Sequence, residues 1–99
     1  MVISLKIKLY TQEGCVNCAR VKAILRRMLP EFNLAYSATV SELDISDSEV
    51  LAELMMMDAS SVPVIVLGSS SLIGPPVLDQ TRLRGLIGTN LEALKQETV

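Results

Sequence analysis

Apolar and polar residues alternate at the start of the chain. Within residues 2–10, four apolar residues occupy every second position and are separated by one polar residue each. They are Ile3, Leu5, Ile7 and Leu9. A period of two is typical of a strand with one buried face. This segment therefore predicts a strand over residues 2–10 on which Lys6 and Lys8 point away from the core.

The spacing of apolar residues changes after Gly14. Over residues 15–29 they recur every three or four positions, which predicts a helix, and Pro30 ends the pattern. The expected core stripe of this helix consists of Ala19, Ile24, Leu25, Met28 and Leu29. Val21 lies outside the stripe, and the basic residues of the segment are expected to form an outer face.

The middle of the chain predicts a second strand and a second helix. Small and β-branched residues alternate partly within residues 38–45, which is typical of an edge strand. Ser46 and Glu49 then have the spacing of a capping box, in which the Ser46 hydroxyl accepts a hydrogen bond from the Glu49 N–H. The helix that this box predicts continues through Met55.

A hairpin and a final helix complete the pattern. Residues 64–67 are a continuous run of Val, Ile and Leu that ends at Gly68. The serines at 69–71 are short and polar enough to turn the chain into a partner strand at residues 72–73. Asp79 can cap a last helix. Gly88 weakens that helix and is a candidate point for its division into two.

Length and composition indicate one domain. The chain has 99 residues, of which 49% are hydrophobic, and this suffices for a single core over residues 1–99 but not for two. The net charge of −2 gives no reason to expect a nucleic-acid or membrane partner. No segment has the composition of a leader or reaches the roughly 18 apolar residues of a membrane span. We therefore expect a cytoplasmic, monomeric protein.

The most informative motif is Cys15-Val16-Asn17-Cys18. It lies where the predicted strand gives way to the predicted helix, and a helix N-terminus stabilises a thiolate through its dipole and its unpaired N–H groups. Cys15 is therefore the expected nucleophile. Cys18, one turn into the helix, is expected to resolve the mixed disulfide that Cys15 forms. Two closely spaced cysteines fit a catalytic pair in a reducing compartment.

The same two cysteines leave a metal-binding alternative open. The chain has no His and no further Cys, which excludes a closed zinc site within one chain, because such a site needs four ligands. A dimer could still supply four sulfurs to zinc or to an iron–sulfur cluster. For a single chain we expect no metal and no cofactor.

The predicted order is strand, helix, strand, helix, strand, strand, helix. With Cys15-Val16-Asn17-Cys18 at the first helix and Val62-Pro63 before the third strand, it resembles the thioredoxin superfamily. The resemblance implies an α/β thioredoxin fold with a four-stranded mixed sheet flanked by helices. Within the superfamily, the chain is most similar to the small glutaredoxin-like proteins of archaea and bacteria.

This resemblance also implies an activity and a site. It implies a thiol–disulfide oxidoreductase that acts on disulfide-containing proteins through Cys15 and Cys18. It further implies a cis peptide bond before Pro63, with the substrate held along Val62 and Pro63 and beside Val16 and Asn17.

Some positions depart from the family pattern. Val16 and Asn17 stand between the cysteines where glutaredoxins usually have Pro-Tyr and thioredoxins have Gly-Pro. Glu13 stands near the usual place of a basic residue, and its charge should disfavour the glycyl carboxylate of glutathione. We therefore expect a thioredoxin-reductase-type enzyme or glutathione as the reductant, and glutathione-dependent reduction remains the alternative function.

Overall fold

The computed structural model describes residues 5–59 and 61–97. The strands are β1 (Ile7–Thr11), β2 (Val40–Asp44), β3 (Val64–Leu67) and β4 (Ser70–Ile73). The helices are α1 (Val16–Met28), α2 (Tyr36–Thr39), α3 (Ser48–Met56) and α4 (Gln80–Glu97), and two 3-10 turns cover Leu29–Phe32 and Pro75–Leu78.

The strands form one mixed sheet in the order β2-β1-β3-β4. β1 is parallel to β2 and antiparallel to β3, and β4 is antiparallel to β3. This confirms the predicted α/β class and the predicted edge position of the second strand. The predicted first strand began at residue 2, and its first residues, 2–4, lie outside the described part of the chain. The observed β1 begins at Ile7.

One face of the sheet packs against α1 and α4. Ile7 and Leu9 of β1 are almost fully buried there, together with Leu83 and Ile87 of α4. The stripe predicted for α1 is confirmed at Leu25, Met28 and Leu29, and Ile24 is partly buried against the same core. It was wrong at its start, because Ala19 is exposed while Cys18 and Val21 are buried. Cys18 has an apolar, buried side chain, so it begins the stripe, and a helical spacing counted from it includes Val21 and leaves Ala19 exposed.

The other face of the sheet is covered only in part, by α3. Leu54 of α3 packs against Tyr10 and Val64 near one end of the sheet. The neighbouring position of β1, Lys8, is exposed, and so is Lys6. This half-covered face accounts for Lys8 on β1, a strand in the middle of the sheet, and for Lys6 just before that strand.

Two predicted helix boundaries need correction. The N-cap of α3 is Asp47, whose carboxylate accepts from the Glu49 N–H at 2.9 Å, so Ser46 does not form the predicted capping box. The Ser46 N–H instead donates to the Asp44 carboxylate. The last helix begins after Asp79, as predicted, but it is continuous through Gly88 and is not divided.

The hairpin turn is tighter than the sequence suggested. β4 already begins at Ser70, because Leu67 pairs directly with Ser70 across Gly68 and Ser69. Gly68 has a φ of 62°, a conformation that glycine adopts at no steric cost. Within the described residues, no helix has both the length and the apolar character that crossing a membrane requires.

Candidate active site

A tight turn connects β1 to the cysteine motif. The Cys15 N–H donates to the Gln12 carbonyl at 3.2 Å, which closes a four-residue turn. Gly14 occupies its third position with a φ of 80°. A positive φ at this position is the signature of a type II turn and explains why glycine stands there. The turn places Cys15 at the end of the sheet.

Cys15 is the N-cap of α1. Its backbone is extended, with φ −82° and ψ 113°, and its Sγ accepts a hydrogen bond from the Cys18 N–H at 3.1 Å. The first turn of α1 contains no acidic residue, and Arg26 and Arg27 lie in its last turn. The helix dipole and the N–H donor therefore both favour negative charge on the Cys15 sulfur.

Cys15 and Cys18 form a disulfide bond, with their Cα atoms 5.2 Å apart. Cys15 is partly exposed, whereas Cys18 is only 1% exposed. An external disulfide can therefore approach the sulfur of Cys15 more easily than that of Cys18. This difference fits the order of attack expected from the sequence, in which Cys15 acts first and Cys18 second.

The predicted substrate-contacting residues lie at the same end of the sheet. The bond between Val62 and Pro63 is cis, and Pro63 is buried. Val64 pairs with Tyr10 in an antiparallel register. The two residues before Val64, which are Val62 and Pro63, therefore extend toward the turn that precedes Cys15.

The other two predicted contact residues begin α1. Val16 and Asn17 are exposed between the two cysteines, and the side chain of Val16 is 66% exposed. The side chain of Val16 is therefore accessible beside the disulfide.

A polar hollow of about 350 Å³ adjoins the turn on the β2 side, and sequence reasoning did not identify most of it. Its lining residues are Thr11, Gln12, Glu13, Lys22, Glu42 and Asp44. A parallel pairing of β1 with β2 would have predicted this hollow, because it brings the carboxyl ends of the two strands together. In the structure Thr11 pairs with Asp44.

Charges in this hollow are partly paired. Glu42 forms an ion pair with Lys22 at 3.1 Å and accepts a hydrogen bond from the Tyr36 hydroxyl at 2.7 Å. The Tyr36 hydrogen bond is the main cause that lowers the pKa of Glu42. The backbone N–H of Ser46 lowers the pKa of Asp44. Both carboxylates are therefore ionised near neutral pH.

The described residues contain no cluster of three or more His, Cys, Asp or Glu side chains arranged to hold a metal ion. The chemistry that this site offers is that of its two sulfurs. It is an exchangeable disulfide at a helix N-terminus, with one sulfur accessible.

Fold and site together define a thioredoxin-fold protein with a Cys-x-x-Cys pair of the redox type. The sequence profile of the glutaredoxin family matches residues 7–72, which is most of the chain. The chain therefore belongs to the glutaredoxin family. It matches no curated protein sequence.

The solved structures similar to this chain include the following two. One is a mutant of the thioredoxin-like protein BC3987, with 25% identity and a TM-score of 0.63, and the match covers 83% of this chain and 99% of that one. The other is oxidized glutaredoxin 2 from Chlamydomonas reinhardtii, with 28% identity and a TM-score of 0.51 over 96% of this chain and 83% of that one. Both similarities agree with a thioredoxin-superfamily protein whose function is thiol–disulfide redox chemistry.

Proposed function

We propose that this protein is an oxidoreductase that reduces disulfide bonds in other proteins through Cys15 and Cys18. The observation that carries the proposal is the Cys15–Cys18 disulfide at the N-terminus of α1, with Cys15 accessible and Cys18 buried. Membership of the glutaredoxin family supports the reaction class.

The reaction begins with the reduced pair. The Cys15 thiolate attacks one sulfur of the substrate disulfide, forms a mixed disulfide with it, and displaces the other sulfur as a thiolate that takes a proton from water. Cys18 then loses its proton, attacks the Cys15 sulfur and releases the second substrate thiol. Two electrons pass to the substrate, and the Cys15–Cys18 disulfide remains.

The backbone around the pair supplies what the reaction needs. The Cys18 N–H donates to the Cys15 sulfur, and this bond stabilises the Cys15 thiolate of the reduced protein before it attacks. We propose that the backbone of Val62 holds an extended substrate segment, with Val16 and Asn17 in contact with it. A thioredoxin-reductase-type enzyme would return the pair to its dithiol form.

Reduction of insulin by dithiothreitol tests this function. The wild-type protein should accelerate the precipitation of reduced insulin chains, and Cys15→Ser should abolish the acceleration because it removes the nucleophile. Replacing dithiothreitol by NADPH with a thioredoxin reductase, or by glutathione with glutathione reductase, identifies the reductant. Undiminished turnover in Cys15→Ser would contradict the proposal.

A further inference from the structure

The polar hollow beside the turn that ends at Cys15 has an unbalanced charge. Among the described residues that line it, the one cation is Lys22, which is paired with Glu42 at 3.1 Å, so these two charges largely cancel. Glu13 and Asp44 also line the hollow, and neither forms a salt bridge with any residue that the structure describes. Three carboxylates and one cation therefore line the hollow, which gives its described lining a net charge of −2. Lys22 also attracts Asp44, and Arg26 attracts Glu42 from outside the lining, so this negative charge is reduced but its sign is kept.

Both carboxylates belong to segments that end at the active-site edge of the sheet. Glu13 lies in the turn whose last residue is Cys15. Asp44 ends β2 and pairs with Thr11, the last residue of β1. A substrate that approaches the Cys15 sulfur from the β2 side therefore passes these two charges.

The cation nearest to the cysteine motif along the chain, Arg20, does not line this hollow. Arg20 lines a different hollow, which it shares with Ala23, Ile24, Arg27, Leu78 and Gln80. This second hollow contains none of the residues that line the first. The positive charge of Arg20 therefore does not neutralise Glu13 and Asp44 on their own side of the motif.

We propose that Glu13 and Asp44 determine specificity at the Cys15–Cys18 site by favouring disulfides that carry a positive charge close to the sulfurs. The preferred substrates would be protein disulfides flanked by Lys or Arg, and disulfides flanked by carboxylates, glutathione among them, would react more slowly. The physical cause is the Coulomb energy of the encounter and of the mixed disulfide. This inference rests on the proposed function, because it concerns the same site.

Three small disulfides of similar size test the preference. Cystamine carries two ammonium groups, hydroxyethyl disulfide is neutral, and dithiodipropionate carries two carboxylates. Each disulfide oxidises the reduced protein to its Cys15–Cys18 disulfide and releases two small thiols, so the total number of thiols stays the same. The rate is therefore measured on the protein itself, by acid quenching, alkylation of the remaining protein thiols and intact mass spectrometry. Each rate is divided by the rate of the same disulfide with free dithiothreitol, which removes differences in leaving-group reactivity.

At low salt we expect the normalised rate to be about tenfold higher for cystamine than for dithiodipropionate, with the neutral disulfide between them. In 1 M salt, where the screening length is about 3 Å, the ratio should approach one. The double variant Glu13→Gln and Asp44→Asn should lose the preference at low salt. Both changes keep the side-chain shape, and the amide that replaces the Asp44 carboxylate retains an oxygen that can accept from the Ser46 N–H.

A matched control removes two carboxylates that do not line the hollow. The double variant Glu49→Gln and Asp58→Asn has the same net charge as the test variant and should keep the wild-type ratio. Equal normalised rates for the three disulfides in the wild type, or an equal loss of preference in both double variants, would overturn the inference and leave the proposed function intact. Failure of all three disulfides to oxidise the pair would instead contradict the proposed function.

Discussion

Gly14 holds the turn that presents Cys15, and its replacement by alanine is expected to destabilise the protein. Its φ of 80° lies in the left-handed region, which alanine rarely adopts. A Cβ atom at this position would have no other atom within 4 Å, so a steric clash does not contribute. The effect of Gly14→Ala therefore isolates the conformational preference of the backbone.

Two opposing contributions set the magnitude. A left-handed conformation costs a residue with a Cβ about 1–2 kcal/mol. Alanine also reduces the conformational freedom of the unfolded chain, which stabilises the folded state by about 0.4–1 kcal/mol. The expected net loss in the free energy of unfolding is about 1 kcal/mol. Gly14→Asn should lose less, because asparagine tolerates positive φ better than alanine.

Gly85 provides the matched control. It is an exposed glycine inside α4, and a Cβ there would also have no atom within 4 Å. Gly85→Ala should therefore stabilise the protein by about 0.5–1 kcal/mol, which is the helix preference of alanine over glycine. The same substitution should thus have opposite signs at the two positions.

Urea unfolding of the oxidised protein measures these changes, provided that the slope of free energy against urea concentration is the same in all variants. The expected order of stability is Gly85→Ala, wild type, Gly14→Asn and Gly14→Ala. A Gly14→Ala variant as stable as the wild type would refute the left-handed turn before Cys15. A variant that loses several kcal/mol would show that more than the backbone conformation of one residue is involved.

Three further predictions concern ionisable groups. The pKa of Glu42 is lowered in the folded protein, so ionised Glu42 stabilises the fold above the unfolded-state pKa, and this stabilisation is lost as the pH falls through the folded-state pKa. In urea unfolding, Glu42→Gln should therefore be less stable than the wild type at neutral pH, and the two should converge in acid. Burial, assisted by a hydrogen bond to Glu53, raises the pKa of Tyr10 to about 12, and the phenolate absorbance of a Tyr36→Phe variant should show a single transition there. In the reduced protein, iodoacetamide should modify Cys15 faster than Cys18 at neutral pH, because Cys15 is partly exposed and the helix N-terminus favours its thiolate; equal rates would remove the assigned roles.

The sequence predicts the parts of the fold that depend on local patterns. The alternation in β1, the β-branched run of β3 and the cap at Asp79 each follow from a few neighbouring residues. β3 and the Asp79 cap lie where they were predicted, and β1 overlaps its predicted segment over residues 7–10. The cap of α3 was misassigned to Ser46 because Asp47 is an equally good cap one residue later. The hydrogen bond from the Ser46 N–H to the Asp44 carboxylate distinguishes Ser46 from Asp47 as a cap. This bond depends on Asp44, the last residue of β2, and so on where that strand ends.

The candidate site also has a part that local sequence predicts and a part that depends on how the strands pair. Cys15, Cys18 and the residues between them are contiguous, so their placement at the start of α1 is a local property. The polar hollow joins Glu13 to Lys22, Glu42 and Asp44, which come together only when β1 and β2 pair in parallel register. No pattern within either segment specifies that register, and for this reason the charge beside Cys15 was only partly visible in the sequence.

Trapping of the mixed disulfide tests the central claim most directly. Reduced Cys18→Ser protein, incubated with an oxidised protein substrate such as insulin and analysed by intact mass spectrometry without reductant, should accumulate an adduct joined through Cys15, because no second thiol can resolve it. Cys15→Ser treated in the same way should form no comparable adduct. An adduct that forms equally well through Cys18, or the absence of an adduct from both variants, would contradict the account in which Cys15 attacks and Cys18 resolves.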